Sequence, residues 1–494
     1  RISSTNHDSN MAPATLSEAH AAILHFLQTA GHPVAVELGH EPIPLNQGSY
    51  EVAFENGRLT LQAWTPDRNL FRRITGLDSQ SKGTVNLKVA RFGSKAGTLS
   101  LIDIARSTTG KLTVRASRHN NGQQFRRFLQ RQYPSWRIAE LSSDPDLEHS
   151  LSPAYPRALL RRGSAGIAAV SAPPGGDVDG ALTFALIWLD YLRKRERTIT
   201  VEALTLLLPG SREAATCHRI RQLDRTRTAF TVFAALDGWE VPVDIEDAGN
   251  IGTQLATAGG FSVLPAWLEP VAGHPAVERV CIGDSLSLRV RGLEFARCCG
   301  TDVRFGISGK RHATPRHARE IAALVTELAA VRCAGGHGQN PLYAAAPERW
   351  LESVVRSGIE KVDARLLPAP VYTQTPGFAS AERGVIDLLA LTLDGQLTVV
   401  ELKAEEDPHL PLQALEYQAR VQWHLERGEF EEKGYFSGQR IRRVRPRVLL
   451  VAPAMHFHPT TEIILSFFPP TLEIERIGLS AGWRSEPHVV SRLL

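Results

Sequence analysis

Residues 384–403 of the chain read GVIDLLALTLDGQLTVVELK. Two apolar runs flank an Asp-Gly dipeptide, a pattern typical of two antiparallel strands joined by a tight turn. The stretch therefore predicts a β-hairpin with strands at Gly384–Leu391 and Gln396–Lys403. A Glu-Leu-Lys sequence follows the apolar run at the end of the second strand.

The register of this hairpin brings three charged residues together. Side chains of a strand alternate between its two faces, so Glu401 and Lys403 share a face. With a two-residue turn, paired residues have numbers that sum to about 789, which sets Asp387 nearly opposite Leu402. Diagonal neighbours across a strand pair lie within reach of each other. The sequence thus predicts two carboxylates and a lysine at one point of the sheet.

Such a cluster suits the hydrolysis of a phosphodiester bond. Asp387 and Glu401 supply hard oxygen ligands for Mg²⁺ or Mn²⁺, which takes one or two protein carboxylates and keeps water and substrate phosphate in its shell. The ion lowers the pKa of a bound water, and Lys403 orients that water or stabilises the transition state. The alternative interpretation is an exposed ion pair at a strand end, because Glu and Lys are most often found at the surface.

Two helices and a further strand complete the C-terminal region. The residue pattern predicts helices at Pro347–Ser357 and Leu410–Leu425 and a buried strand at Arg447–Ala452. A helix, antiparallel strands, a second helix and another strand make an α/β/α sandwich.

These motifs resemble those of the PD-(D/E)xK nuclease superfamily, in its RecB-like branch with a QxxxY element. The resemblance covers about 345–455 and lies in five positions: Asp387, Glu401, Lys403, Gln413 and Tyr417. It implies a restriction-endonuclease-like sandwich with a mixed central sheet, and hydrolysis that leaves a 5′-phosphate.

The resemblance also implies supporting residues. A glutamate of the first helix often completes the metal shell in the superfamily, and Glu352 matches it best, with Glu348 as the second choice. Gln413 and Tyr417 are four residues apart on one helical face, where they would support the site or approach the substrate backbone. The implied ligands of Mg²⁺ or Mn²⁺ are Asp387, Glu401 and Glu352.

The rest of the chain divides into further regions of a multidomain α/β (α+β) protein. We predict a basic β-rich N-terminal domain at 11–133, a middle α/β domain at 134–259 and a connecting α/β region at 260–339, before the nuclease-like domain at 340–494. One interpretation of the middle domain is a degenerate relative of the nuclease-like domain. The residues before Met11 are expected to be vector-derived or an upstream leader, outside these domains.

The N-terminal domain is far more basic than the whole chain, whose net charge is only +4. Between Ser79 and Ala139 there are twelve basic residues and one acid, Asp103. Lysine and arginine bind phosphates of any sequence, and nearby aromatic residues can stack on unpaired bases. We therefore expect contact with double- or single-stranded DNA, with a solvated surface as the alternative. The candidate contact residues are Lys88, Arg91, Arg126, Arg127, Arg131, Arg442 and Arg443.

Composition excludes several classes of protein. The chain has 43% hydrophobic and 22% charged residues, the balance of an ordinary globular protein. No apolar run approaches the roughly 18 residues of a membrane span, so we expect a cytoplasmic protein without a membrane partner. Five cysteines are too few for a disulfide framework. The sequence predicts a metal-dependent DNA nuclease, monomeric or oligomeric; the alternatives are a non-catalytic nucleic-acid-binding or scaffold protein and a nuclease acting on RNA.

Overall fold

Helices and sheets alternate in a mixed α+β, multidomain chain, seen in a computed structural model. The residues that the structure describes are 13–37, 43–46, 49–55, 58–65, 68–81, 83–90, 96–103, 121–172, 178–210, 212–236, 239–247, 249, 253–258, 264–282, 285–307, 311–336, 340–373 and 386–494. These residues form four sheets. The chain divides into two compact units, Arg1–Phe128 and Leu129–Leu494. None of the helices in the described segments is long and apolar enough to cross a membrane.

The N-terminal unit contains one long helix and a seven-stranded antiparallel sheet of order β2-β1-β7-β6-β5-β4-β3. Ala19, Ile23 and Phe26 recur on one face of the helix and are buried in a common core with Leu61 and Leu87 of the sheet. The elements are α1 (Pro13–Thr29), β1 (Pro33–Glu37), β2 (Ile43–Pro44), β3 (Tyr50–Glu55), β4 (Arg58–Thr65), β5 (Arg68–Ser81), β6 (Thr84–Ala90) and β7 (Ala96–Asp103).

A six-stranded mixed sheet follows helix α2 (residues 121–132). Its strands β8 to β13 pair in chain order. The pairs β10–β11 and β11–β12 are parallel, and the other three pairs are antiparallel. The elements are β8 (Arg137–Ser142), β9 (Arg157–Arg162), β10 (Ala165–Ser171), α3 (Ala181–Arg195), β11 (Thr200–Pro209), α4 (Ala214–Gln222), β12 (Ala229–Leu236) and β13 (Trp239–Val243).

An antiparallel meander lies between the two mixed sheets in the sequence. Its five strands pair in chain order, and Ile321, Val325 and Leu328 of the helix that follows share a core with Leu288 and Phe295 of the strands. The elements are α5 (Glu269–Ala272), β14 (Val277–Ile282), β15 (Ser285–Val290), β16 (Leu293–Cys299), β17 (Asp302–Phe305), β18 (Arg311–His312), α6 (Ala318–Val331) and α7 (Pro341–Ala344).

The C-terminal region has a second six-stranded mixed sheet, with its strands in chain order. The pairs β21–β22 and β22–β23 are parallel, and the other three are antiparallel. The elements are α8 (Pro347–Ser357), α9 (Ile359–Val362), β19 (Tyr372–Thr373), β20 (Leu388–Leu391), β21 (Leu397–Leu402), α10 (Leu410–Glu426), α11 (Glu429–Glu432), β22 (Arg447–Pro453), α12 (Thr461–Leu465), β23 (Ile474–Leu479) and β24 (Val489–Leu493).

The two faces of this sheet are covered by different helices. Val400 and Leu402 share a core with Trp350 of α8, whereas Val399 shares a core with Val421 of α10. Side chains of a strand alternate between faces, so the odd-numbered residues of β21 face α10. Glu401 is one of them.

The hairpin register differs by one residue from the predicted one. Leu388 pairs with Val400, so paired numbers sum to 788 and Asp387 comes opposite Glu401 rather than Leu402. The reason is a turn of three residues instead of two, since Thr392 N–H bonds the Gln396 carbonyl at 2.9 Å. The first strand begins at Leu388, and the predicted residues Gly384 and Val385 lie outside the described segments.

Candidate active site

Asp387 stands immediately before β20 and faces the end of β21. Its Oδ2 atom accepts a hydrogen bond from the backbone N–H of Leu402 at 3.0 Å, and its side chain is 20% exposed. Arg349 Nη1 lies 3.9 Å from Oδ1. Burial raises the pKa of Asp387 to about 7, against the opposing effect of the Leu402 N–H. At neutral pH this carboxyl is therefore close to its titration point.

Glu401 lies on β21 and is 3% exposed. Burial raises its pKa well above 4.5, and the negative charge of Asp387 raises it further. Among the described residues its buried Oε2 atom has no hydrogen-bond partner. A buried acceptor without a partner costs about 1–3 kcal/mol. One oxygen of this buried carboxyl group therefore has no hydrogen-bond partner among the described residues.

Lys403 follows the last residue of β21, and its backbone N–H still bonds the Val451 carbonyl at 3.1 Å. Its Nζ atom lies 3.5 Å from Asp407 Oδ2 and 3.9 Å from Glu348 Oε1. Burial acts to lower the pKa of Lys403, but Glu401 and the other carboxylates nearby outweigh it, so the pKa lies above its ordinary value. Lys403 is therefore a partly buried cation beside two carboxyl groups of high pKa.

Gln413 and Tyr417 lie on α10, which covers the face of the sheet that Glu401 occupies. The Gln413 Oε1 atom is buried without a hydrogen-bond partner among the described residues. Tyr417 is 8% exposed. Burial raises the pKa of its phenol, and the charges of Glu401 and Asp387 raise it further. Tyr417 consequently stays protonated and can donate a hydrogen bond.

The charge of Glu352, the expected third ligand, raises the pKa of Asp387, while arginines bind the oxygens of Glu352. It is 2% exposed, and its two oxygens bind Arg349 Nη1 at 2.6 Å and Arg289 Nη1 at 3.4 Å. The hydroxyl of Thr373 also donates to it. Two arginines therefore already neutralise this carboxylate.

The second choice from the same helix, Glu348, is the α8 carboxylate that reaches the motif, through Lys403. Among the described residues, no three His, Cys, Asp or Glu side chains are grouped closely enough to form a metal site from protein ligands alone.

The sequence did not indicate Arg289, because this partner of Glu352 comes from β15, 63 residues away in the chain.

The predicted nucleic-acid-binding residues differ in their surroundings. Arg127 and Arg443 are exposed, and Arg126 is half-buried on α2. Three others have acidic partners: Lys88 lies 3.8 Å from Asp78, Arg131 pairs with Glu240, and Arg442 pairs with Asp394 of the hairpin turn. Arg91 lies outside the described residues.

Three residues that are close in sequence to the candidate nucleic-acid contacts are buried. Arg447 is 2% exposed and binds Asp363 and Glu475, so it cannot contact a nucleic-acid backbone. Phe125 and Phe128 of α2 are fully buried and stack on each other rather than on a base.

Comparison with known proteins contributes no assignment. No protein-family model matches the chain, and a search of curated proteins finds no significant match.

Proposed function

We propose that the chain is a metal-dependent DNA nuclease that hydrolyses phosphodiester bonds at Asp387, Glu401 and Lys403. One observation carries the proposal: the buried Glu401 Oε2 has no partner among the described residues, and it lies beside a second carboxyl whose pKa is about 7. A divalent cation satisfies both features at once, because it neutralises the paired charges and occupies the free oxygen.

The arrangement of the C-terminal region supports the same proposal. The resemblance to the PD-(D/E)xK superfamily implies a mixed sheet between two helices, with the motif on the second and third strands and QxxxY on the next helix. The chain has α8 and α10 on opposite faces of its mixed sheet, and the charge of Glu401 raises the pKa of Tyr417 on α10. We infer a restriction-endonuclease-like sandwich.

The residues present fit Mg²⁺ or Mn²⁺. Asp387 and Glu401 would hold the ion, with waters and substrate phosphate completing its shell, as is usual for Mg²⁺. Glu352 contributes no ligand in this proposal because Arg289 and Arg349 bind it. When bound, the ion makes a neighbouring water acidic and offsets charge on the phosphate.

The protein's own groups then act on the substrate. Lys403 keeps its proton because carboxylates surround it, so its ammonium attracts the phosphate and stabilises negative charge that develops during attack. Asp407 and Glu348 hold that ammonium in place from two sides. Tyr417 keeps its proton because its pKa is raised, so its hydroxyl would be able to donate a hydrogen bond to a carboxylate of the site.

The test is cleavage of supercoiled plasmid, linear duplex, single-stranded DNA and single-stranded RNA with Mg²⁺ or Mn²⁺. Asp387→Ala and Lys403→Ala should each lower the rate at least about 100-fold. The controls are Asp394→Ala in the turn of the same hairpin and Lys361→Ala, whose partner is Glu486. They should retain activity.

Cleavage that survives both site changes would refute the site. Wild-type protein that binds DNA and cleaves none of the four substrates would favour the scaffold alternative. Cleavage of RNA alone would favour the ribonuclease.

A further inference from the structure

The middle sheet and the C-terminal sheet have one topology. Along β8 to β13 the successive pairs are antiparallel, antiparallel, parallel, parallel and antiparallel, and along β19 to β24 they follow the same series. Helix α3 follows the third strand of the first sheet as α10 follows that of the second. Helices α4 and α12 likewise follow the fourth strands.

The four helices pack reciprocally. Helix α10 contacts α4, and α12 contacts α3. If α3 corresponds to α10 and α4 to α12, these two contacts are the same contact seen twice, as an approximate two-fold axis requires. Leu186 and Ile220 from the middle region share one core with Leu415 and Ile464 from the C-terminal region. The two regions therefore meet as two halves of a dimer would.

Strand register gives the residue correspondence. The backbone N–H of Lys403 bonds the Val451 carbonyl at 3.1 Å, and that of Ala172 bonds the Leu207 carbonyl at 2.9 Å, each one residue beyond the third strand. Ala172 thus occupies the position of Lys403. Two residues earlier, Val170 occupies the position of Glu401.

The first site residue corresponds as well. Arg157 pairs with Val170 in the middle sheet, and Asp387 comes opposite Glu401 in the register of the C-terminal hairpin. Arg157 therefore occupies the position of Asp387. In the fourth strands Pro209 pairs with Ala235 and Pro453 pairs with Leu479, which extends the correspondence to the far side of the sheets.

The helices agree with the strands. Phe184-Ala-Leu-Ile-Trp188 on α3 corresponds to Gln413-Ala-Leu-Glu-Tyr417 on α10. Trp188 lies beside the substituted site, because its ring is 5.6 Å from the Arg157 guanidinium and its Nε1–H bonds the Ala158 carbonyl at 3.0 Å. All five site positions have changed: Arg for Asp, Val for Glu, Ala for Lys, Phe for Gln and Trp for Tyr.

The substituted position cannot hold a cation. Arg157 is 6% exposed, and its charge repels a divalent ion where Asp387 would attract one. Its Nη2 bonds the Asp144 carbonyl at 2.9 Å, so the guanidinium is fixed there. Val170 and Ala172 offer no oxygen ligand.

The substituted site and the intact site are neighbours. His409, before α10, bonds the Thr183 hydroxyl at 2.8 Å, and its ring centroid is 5.6 Å from that of Phe184, the counterpart of Gln413. Arg219 of α4 pairs with Glu416 of α10 at 2.6 Å. The helices that follow the third and fourth strands of the middle sheet therefore contact the helix that carries Gln413 and Tyr417, or the residue just before it.

We propose that the middle region is an inactivated second copy of the nuclease-like region, so the chain is a covalent dimer with one catalytic centre and cuts one strand of a duplex in each binding event. The inference rests on the proposed function. Two catalytic centres related by a two-fold axis would each cleave one of the two antiparallel strands of a duplex. In this chain, the residues of one of the two centres have been substituted.

The experiment follows supercoiled plasmid under excess enzyme with Mg²⁺. Nicked circles should accumulate first, and linear DNA should appear only after a lag, by a second independent nick. Conversion of supercoiled to linear DNA without a nicked intermediate would require a second catalytic centre and would overturn the inference while leaving the nuclease proposal intact. In the same assay Tyr417→Phe should slow nicking, and its counterpart Trp188→Phe should not.

A count of bound Mn²⁺ by electron paramagnetic resonance needs no activity. Glu401→Gln should remove every tight Mn²⁺ site of the wild-type chain. Tight binding that persists in this variant would locate a second metal site and overturn the inference. Wild-type protein that neither binds Mn²⁺ nor cleaves DNA would remove the proposed function, and the inference falls with it.

Discussion

Asp387 should destabilise the metal-free fold in a way that depends on pH. The folded chain keeps the proton of this carboxyl up to about pH 7, whereas the ordinary pKa is 3.8. An acid with a raised pKa in the folded state makes the protein lose stability as pH rises between those two values. Each pH unit in that interval corresponds to ~1.4 kcal/mol, which gives an upper bound of about 4 kcal/mol at pH 8.

Asp387→Asn removes the charge and keeps an oxygen for the Leu402 N–H. In the presence of a chelator we expect the variant to have a free energy of unfolding about 2–4 kcal/mol above that of wild type at pH 8, and a gain about 2–3 kcal/mol smaller at pH 5. Urea unfolding followed by tryptophan fluorescence measures both values, since Trp350 and Trp483 are buried in the core of this sheet.

Asp394→Asn is the matched control on the same hairpin. The Thr392 hydroxyl, followed by Arg442, lowers the pKa of Asp394, so its contribution is favourable at neutral pH and is lost in acid, the opposite sign. Added Mn²⁺ should stabilise wild type at pH 8 and should stabilise Asp387→Asn much less. A gain for Asp387→Asn that is equal at pH 5 and pH 8 would show that the carboxyl titrates normally and would refute the reasoning.

Two further predictions concern the turn and the basic surface. Gly395→Ala should lower the free energy of unfolding by about 2 kcal/mol or more in the same assay, because φ is +91° and an added Cβ would lie 2.2 Å from the Arg440 carbonyl oxygen. The control is Gly335→Ala, since Gly335 has open space around it. Equal losses of stability in the two variants would contradict backbone strain at Gly395. Charge reversal of Arg126 and Arg127 should reduce the slope of the logarithm of the DNA-binding constant against the logarithm of salt concentration by about 1–2. An unchanged slope would exclude these two arginines as phosphate contacts.

Local sequence patterns were sufficient to predict the hairpin and the charged residues at its end. Alternation and the Asp-Gly dipeptide predict two strands and a turn, and both strands are observed. The turn length was wrong by one residue, because Thr392 closes a three-residue turn in which Gly395 has positive φ. That difference moves the partner of Asp387 to Glu401.

Arg289 could not be predicted from the sequence as a partner of Glu352, because this contact joins distant parts of the chain. Glu352 fits the expected first-helix ligand by position, yet Arg289 and Arg349 bind it, and no local pattern marks Arg289 as a neighbour.

The proposed correspondence between the middle and C-terminal regions is only one interpretation of the sequence. The five proposed site residues of the C-terminal region are replaced in the middle region. A search of the sequence for a second copy of the site motif therefore finds none. The backbone retains the strand order and hydrogen-bond register, which sequence reasoning does not reach. The pairs Phe184/Trp188 and Gln413/Tyr417 were a detectable signal, because both sit four residues apart around an Ala-Leu dipeptide.

The most direct measurement is anomalous scattering from crystals of the full chain grown with Mn²⁺. We predict an anomalous peak about 2.0–2.3 Å from carboxylate oxygens of both Asp387 and Glu401, and none beside Arg157. Absence of a peak there at millimolar Mn²⁺, or a peak at Glu352 without these two residues, would contradict the proposed metal centre.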